Sequence, residues 1–231
     1  MQLFYQPGIP DGIQYLDSDE SRHAVKVLRL KEGDSLSLTD GKGRFYDAKI
    51  VRADFPQCTF QILNTRVQPL KNFQVHIAIA PTKNADRIEW FVEKAVELGI
   101  DEVSFLLCKN SERKSVNMER LEKIAISAMK QSQQAWFPVL NALAPFKSVL
   151  VSSSTQKFIA IIDLQNPQHL KTLARPGGNY LVLIGPEGDF SMEELQMALD
   201  NGFQKVSLGN TRLRTETAGL AACHILNLMN E

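Results

Sequence analysis

Cysteine is scarce in this chain: three residues of 231, at positions 58, 108 and 223. An odd number, far apart and with no C-x-x-C pair, supplies neither a disulfide framework nor a zinc site. A reducing cytoplasm and no metal are therefore expected. Charge of one sign is missing too, because 26 Lys and Arg balance 26 Asp and Glu. Bulk electrostatics then gives no reason to expect a polyanion. No apolar run approaches the roughly 20 residues of a membrane-spanning helix, so no membrane partner is expected. The opening M-Q-L-F-Y-Q-P-G-I-P-D-G lacks the basic start and apolar stretch of a secretory signal. Also missing are a fixed-period repeat and the G-x-G-x-x-G or G-K-[ST] loops that cradle a pyrophosphate.

What is present begins with local clusters of positive charge. R-H-A-V-K-V-L-R-L-K gathers Arg22, His23, Lys26, Arg29 and Lys31, and Lys42, Arg44, Lys49 and Arg52 follow. Each alone reads as a solvated face; together they permit an anionic partner. The first seventy residues read as β-rich. After a strand near residues 3–5, D-S-D-E offers caps for a short helix carrying Ala24, Val27 and Leu28, closed by Gly33. S-L-S-L-T, the turn D-G-K-G and R-F-Y-D-A-K-I-V form a hairpin signature; G-K-G precedes a strand and reads as a turn only. C-T-F-Q-I-L-N-T-R-V adds a strand, and Pro69 marks a boundary near 68–72. A small barrel over 1–70 is expected, followed by a second domain over 73–231.

That second domain alternates short apolar strands with amphipathic helices. V-H-I-A-I-A precedes a helix begun by Asn84 or Asp86, with Ile88, Phe91, Val92, Ala95 and Leu98 at helical spacing and Gly99 at its end. E-V-S-F-L-L-C precedes a helix from Asn117 carrying Leu121, Ile124, Ala125 and Ala128. K-F-I-A-I-I-D, Y-L-V-L-I-G and Q-K-V-S-L-G are three further strands. The alternation predicts an α/β fold with a parallel sheet covered on both faces, whose ligands gather at the carboxyl ends of strands. Two such ends carry charged, glycine-bearing loops: G-P-E-G-D-F-S and G-N-T-R-L-R-T-E-T-A. Ser191 with Glu194 forms a capping box. Thr215 is expected to cap the last helix, with Glu216 in its first turn. Gly185 and Gly188 are expected to let the backbone approach a ligand. The resulting slot is walled by backbone groups.

At these residues the sequence resembles the SPOUT superfamily of S-adenosylmethionine-dependent RNA methyltransferases. Within it the resemblance is to the ribosomal RNA small subunit methyltransferase E family, which methylates uridine N3 in 16S rRNA. G-P-E-G with F-S, then L-G, then L-R-T-E-T-A carry the likeness most strongly. H-A-V-K-V-L-R-L-K-E-G-D, the set Lys83, Arg87, Lys94, Glu97, Leu98 and Gly99, S-E-R at 111–113 and Q-S at 131–132 extend it along nearly the whole chain. The resemblance implies a PUA-like RNA-binding barrel followed by a SPOUT α/β domain ending in a trefoil knot. It also implies a homodimer, 16S rRNA of the small subunit as partner, and S-adenosyl-L-methionine in the knot. The implied cofactor residues are Ile184, Gly185, Gly188, Leu208, Gly209, Leu213, Thr215, Thr217 and Ala218. Three positions depart from the pattern: Asp189 replaces a second glycine, Gln134 an arginine, and Arg212 lies one place late.

Methylation of N3 requires loss of its proton, stabilisation of the charge left on O2, N3 and O4, and an in-line methyl donor. Arg214 is the expected anion stabiliser, since a guanidinium is permanently charged and donates two parallel bonds; an ion pair with Glu187 or Glu216 is the competing account. Glu187 or Glu216 is expected to take the proton, or else to fix the cofactor or the loop. His23, Lys26 and Arg29 on the barrel, with Arg113, are expected to touch RNA. Ribose 2′-O-methylation and a non-catalytic rRNA-binding assembly role are the alternative functions.

Overall fold

A computed structural model describes residues 2–151, 153–162 and 168–231. The chain divides into two compact units, Met1–Leu70 with Ile126–Phe137, and Lys71–Ala125 with Pro138–Glu231. The boundary after Leu70 lies where Pro69 leaves the last strand of the first unit. The return of 126–137 to that unit is a departure from the sequence reading.

In the first unit, β1 (Leu3–Tyr5), β2 (Ser35–Thr39), β3 (Arg44–Arg52) and β4 (Thr59–Val67) pair in that order. β1 runs parallel to β2, and the other pairs are antiparallel. A bridge from Tyr15 to Thr59 joins the segment after β1 to the far strand, giving the expected β-rich unit its curl. Alternation decides its core: Leu36 and Leu38 of β2, Tyr46, Ala48 and Ile50 of β3, and Phe60 of β4 are buried with Phe4 and Leu16. Asp40 closes the D-G-K-G hairpin, its carboxylate accepting the N–H groups of Lys42 (2.8 Å) and Arg44 (3.1 Å). Gly43 lies under the Trp136 ring, where a Cβ would come within 2.2 Å of it. Trp136 Nε1 donates to the Gln68 carbonyl (3.1 Å), so this indole is packed within the unit.

The helix after β1 differs from expectation. Asp17 caps α1 (Ser18–Arg22) by accepting from Glu20 N–H, but His23–Val27 then widens into a π-helical turn. The wider turn breaks the 3.6-residue spacing, so Ala24 is buried while Val27 and Leu28 are exposed. The turn stops at Arg29, which has a φ of 57°, before Gly33 is reached.

The second unit is built on six parallel strands: β5 (Phe73–Ile79), β6 (Glu102–Leu107), β7 (Val139–Pro145), β8 (Gln156–Ala160), β9 (Gly178–Ile184) and β10 (Gln204–Val206). Their order across the sheet is β10-β8-β9-β5-β6-β7. Asp163, the expected end of K-F-I-A-I-I-D, lies outside the described residues. β7 was not anticipated. It is one of the two edge strands, half exposed, and V-L-N-A-L-A-P shows neither alternation nor a fully apolar run.

Both faces of this sheet are covered. Phe146 and Leu150, at α4 (Phe146–Val149), join Ala198 of α6 (Met192–Asp200) and Phe203 against Ala78, Leu106, Ile159, Leu181 and Leu183. On the opposite face lie α2 (Ala85–Glu97) and α7 (Thr215–Leu228); they pack on each other, and α7 packs on β5 and β9. Asn84 caps α2. α3 (Met118–Gln131) and the short α5 (Leu170–Leu173) complete the elements. All three cysteines are buried free thiols, and burial pushes Cys108 and Cys223 up to about 12; none is a nucleophile at neutral pH.

Candidate active site and RNA interface

β10, β8 and β9 are neighbours in a parallel sheet, so their carboxyl ends open on the same side. The residues beyond them wall a cleft of about 700 Å³. Its apolar side is formed by Ala160 at the end of β8, Ile161 and Ile162 beyond it, Ile184 of β9, and Leu208, Leu213 and Ala218. Charged groups also line it: Arg87, Glu187, Asp189, Arg212 and Arg214.

Local chemistry shapes each wall. After β9 the chain turns through Pro186, with Asp189 N–H donating to the Pro186 carbonyl (2.9 Å). Asp189 has a φ of 61°, in the left-handed region that Asp tolerates better than most residues. Its carboxylate accepts Phe190 N–H (2.8 Å), and Asn110 Nδ2 donates to the carbonyls of Gly188 (3.2 Å) and Asp189 (3.1 Å). The departure from a second glycine is therefore accommodated by this loop. The capping box is present: Ser191 N–H donates to Glu194 (2.9 Å) and Glu194 N–H to Ser191 Oγ (3.3 Å), starting α6. Glu194 also accepts Lys109 N–H (2.7 Å), which ties the loop after β6 to the one after β9.

On the Cβ side Gly185 and Gly188 face protein, where a Cβ would meet the Phe190 ring at 3.1 Å and Asn110 Cβ at 3.3 Å. One expectation here needs correction. Thr215 is not the cap of α7. Arg214 occupies that position without a side-chain bond, and the Thr215 hydroxyl donates to the Gly185 carbonyl (3.0 Å). The two glycine-bearing loops are thereby joined at the cleft. Among the described residues, no protein acceptor takes the backbone N–H of Leu208 or of residues 210–214. Residues 210–212 and 214 are exposed and Leu208 and Leu213 half-buried, so these donors are open to solvent or to a ligand.

A profile of the RNA methyltransferase domain family matches residues 69–227, and one of the RNA methyltransferase PUA domain matches residues 16–63. Ribosomal RNA small subunit methyltransferase E of Buchnera aphidicola is 30% identical over 227 residues, covering 93% of this chain and 88% of its own. The chain belongs to the ribosomal RNA small subunit methyltransferase E family. A probable rRNA methyltransferase from Porphyromonas gingivalis matches with a TM-score of 0.93 and 44% identity, over 100% of this chain and 98% of that one. The family's Neisseria gonorrhoeae member, solved with S-adenosyl methionine bound, gives a TM-score of 0.87 and 26% identity over the same shares.

Within this methyltransferase the fold gathers most of the expected cofactor residues. Ile184, Gly185, Leu208, Gly209, Leu213, Thr215 and Ala218 line the cleft; Gly188 and Thr217 do not. Arg214 lines it and is exposed, with no ion pair among the described residues. Its two suspected partners are engaged elsewhere. Glu187 accepts the backbone N–H of Lys83 (3.0 Å), and Glu216 lies 3.8 Å from Arg87 Nε. Arg113 Nε donates to the Thr82 carbonyl (3.0 Å) and its Nη2 to that of Lys83 (2.8 Å), so this guanidinium braces the loop after β5. His23 is tilted against Phe4, ring centroids 5.9 Å apart, and its Nε2 is buried without a partner. Lys26 and Arg29 are exposed. Arg87 in the first turn of α2, and Ile161 and Ile162 after β8, line the cleft without having been expected there. The rule of carboxyl strand ends could have found the two isoleucines.

Proposed function

We propose that this protein transfers a methyl group from S-adenosylmethionine to N3 of a uridine in 16S ribosomal RNA of the small subunit, as a cytoplasmic homodimer with a knotted C-terminal domain. The observation that carries this reading is the unpaired Arg214 guanidinium in a cleft bounded by two bonded, glycine-bearing loops. The residues present fit the donor. Ile161, Ile162, Ile184, Leu208 and Leu213 offer apolar contacts for a purine, and the N–H groups of Leu208 and 210–214 offer bonds to its polar atoms. When bound there, the donor supplies an electrophilic methyl carbon on sulfur.

The chain's own part is placement and electrostatics. Arg214 presents a fixed positive charge to the carbonyl oxygen of the deprotonated base, where negative charge accumulates. Thr215 holds the Gly185 carbonyl and so fixes the distance between the two loops. Glu187 stiffens the rim through Lys83 N–H. Because N3 is used in base pairing, the target uridine is presented unpaired or flipped. Lys26, exposed in the π-helical turn, and Arg29, exposed just after it, provide phosphate contacts from the first unit.

Two measurements test the reading. Nucleosides from 16S rRNA of a deletion strain should lack N3-methyluridine; loss of a 2′-O-methylated uridine instead would replace it with ribose chemistry. Arg214→Ala should lower turnover by about 100-fold or more while S-adenosylmethionine affinity by calorimetry stays near the parent's. Near-normal turnover would remove Arg214 from its role.

A further inference from the structure

The loop joining β5 to α2, residues 80–84, leads into the helix turn that carries Arg87 and is braced on both sides. Arg113 binds its carbonyls at 82 and 83, and Glu187 accepts its N–H at 83. From this braced segment Arg87 is the side chain that lines the cleft. Behind it stands Glu216, the second residue of α7, only 6% exposed. Glu216 Oε1 lies 3.8 Å from Arg87 Nε, while Oε2 is buried with no hydrogen-bond partner. A buried carboxylate is costly unless a cation or helix N-terminus compensates it, and here Arg87 and the first turn of α7 do so. Glu216 is not itself among the residues lining the cleft. It stands beside the Arg87 guanidinium and outside the cleft lining.

Resting on the uridine-N3 reading above, we propose that Arg87 is a second catalytic guanidinium, binding the uracil carbonyl oxygen opposite the one held by Arg214, and that Glu216 is its positioning residue. The N3 proton passes to solvent, and its bonding pair remains as negative charge shared by O2, N3 and O4. The N3 lone pair then forms the bond to the methyl carbon as the carbon–sulfur bond breaks, its pair staying on sulfur. Positive charge on both sides of the ring favours the anion, so N3–H ionises at lower pH than in free uridine. This explains a site whose carboxylates all engage protein groups: Glu187 the Lys83 N–H, Asp189 the Phe190 N–H, and Glu216, behind the lining, the Arg87 guanidinium. No strong side-chain base is required.

The test is the pH profile of kcat/KM on rRNA for the parent, Arg87→Gln, Arg87→Lys and Glu216→Gln, with S-adenosylmethionine affinity measured for each. Arg87→Gln should lose about 100-fold at neutral pH, keep its donor affinity, and recover as pH rises, with the midpoint shifted up by about one unit or more. Arg87→Lys should recover part of the loss, and Glu216→Gln should show a smaller loss with the same upward shift. An Arg87→Gln profile parallel to the parent's, or a weakened donor affinity, overturns the assignment. A Glu216→Gln loss that high pH does not relieve makes Glu216 the base and overturns it as well. Failure of the uridine-N3 reading is seen separately, as absence of N3-methyluridine from RNA treated with the parent enzyme.

Discussion

At the scale of single residues, buried polar groups account for most of the specific behaviour expected of this protein. His76 of β5 sits in a second cavity of about 580 Å³, its Nε2 2.8 Å from Ser104 Oγ and 3.6 Å from Glu102. Burial lowers its pKa below the ordinary 6.5, partly opposed by the Glu102 carboxylate. A depressed histidine binds fewer protons folded than unfolded, so stability is full above pH 6.5 and falls as pH drops below it, levelling off under the folded pKa. Melting temperatures from pH 7.5 to pH 5 should decline, and His76→Gln should flatten that part of the decline. A variant with the parent's slope would assign the acid sensitivity to other groups. The catalytic candidates were legible at this scale because Arg, Glu and Gly stand in short, ordered motifs. Their partners were not legible. That Glu187 bonds Lys83 and Glu216 faces Arg87 depends on contacts across 104 and 129 positions of sequence, which no local pattern encodes.

At the scale of elements, hydrophobic spacing located α2, α3, β5, β6 and β9, because each is long or apolar enough to carry a clear period. It failed at β7, an edge strand, and at the His23–Val27 turn, whose π geometry has no periodic signature. Packing between α2 and α7 offers a sharper test than propensity. Gly219 in the interior of α7 would place a Cβ 2.7 Å from the Phe91 ring and 2.9 Å from Ile79. Helix propensity alone favours alanine there by about 1 kcal/mol. Overpacking against a rigid ring outweighs it, so Gly219→Ala should destabilise by about 1–3 kcal/mol. Urea unfolding measures this directly, and a more stable variant would mean that Phe91 yields.

Across the whole molecule, zero net charge conceals an uneven distribution. Arg22, Lys26, Arg29 and Lys31 are close in sequence and make no side-chain ion pair among the described residues, whereas Arg52 pairs with Asp54 (2.6 Å) and Arg44 approaches Asp40 (3.8 Å). Binding of rRNA should therefore weaken steeply with salt. Lys26→Ala with Arg29→Ala should flatten the slope of log affinity against log salt by about one for each phosphate left without its cation. An unchanged slope would detach this cluster from the RNA. Composition hinted at that cluster, but only folding separated the neutralised cations from the free ones.

The excursion of residues 126–137 into the first unit has a practical corollary for dissecting the enzyme. Severing the chain near residue 70 leaves one piece without the indole that covers Gly43, and leaves the other with Trp136 and Phe137 stripped of their neighbours. Exchanging the first unit for that of a relative accordingly calls for two coordinated splices, one near residue 70 and one bracketing 126–137.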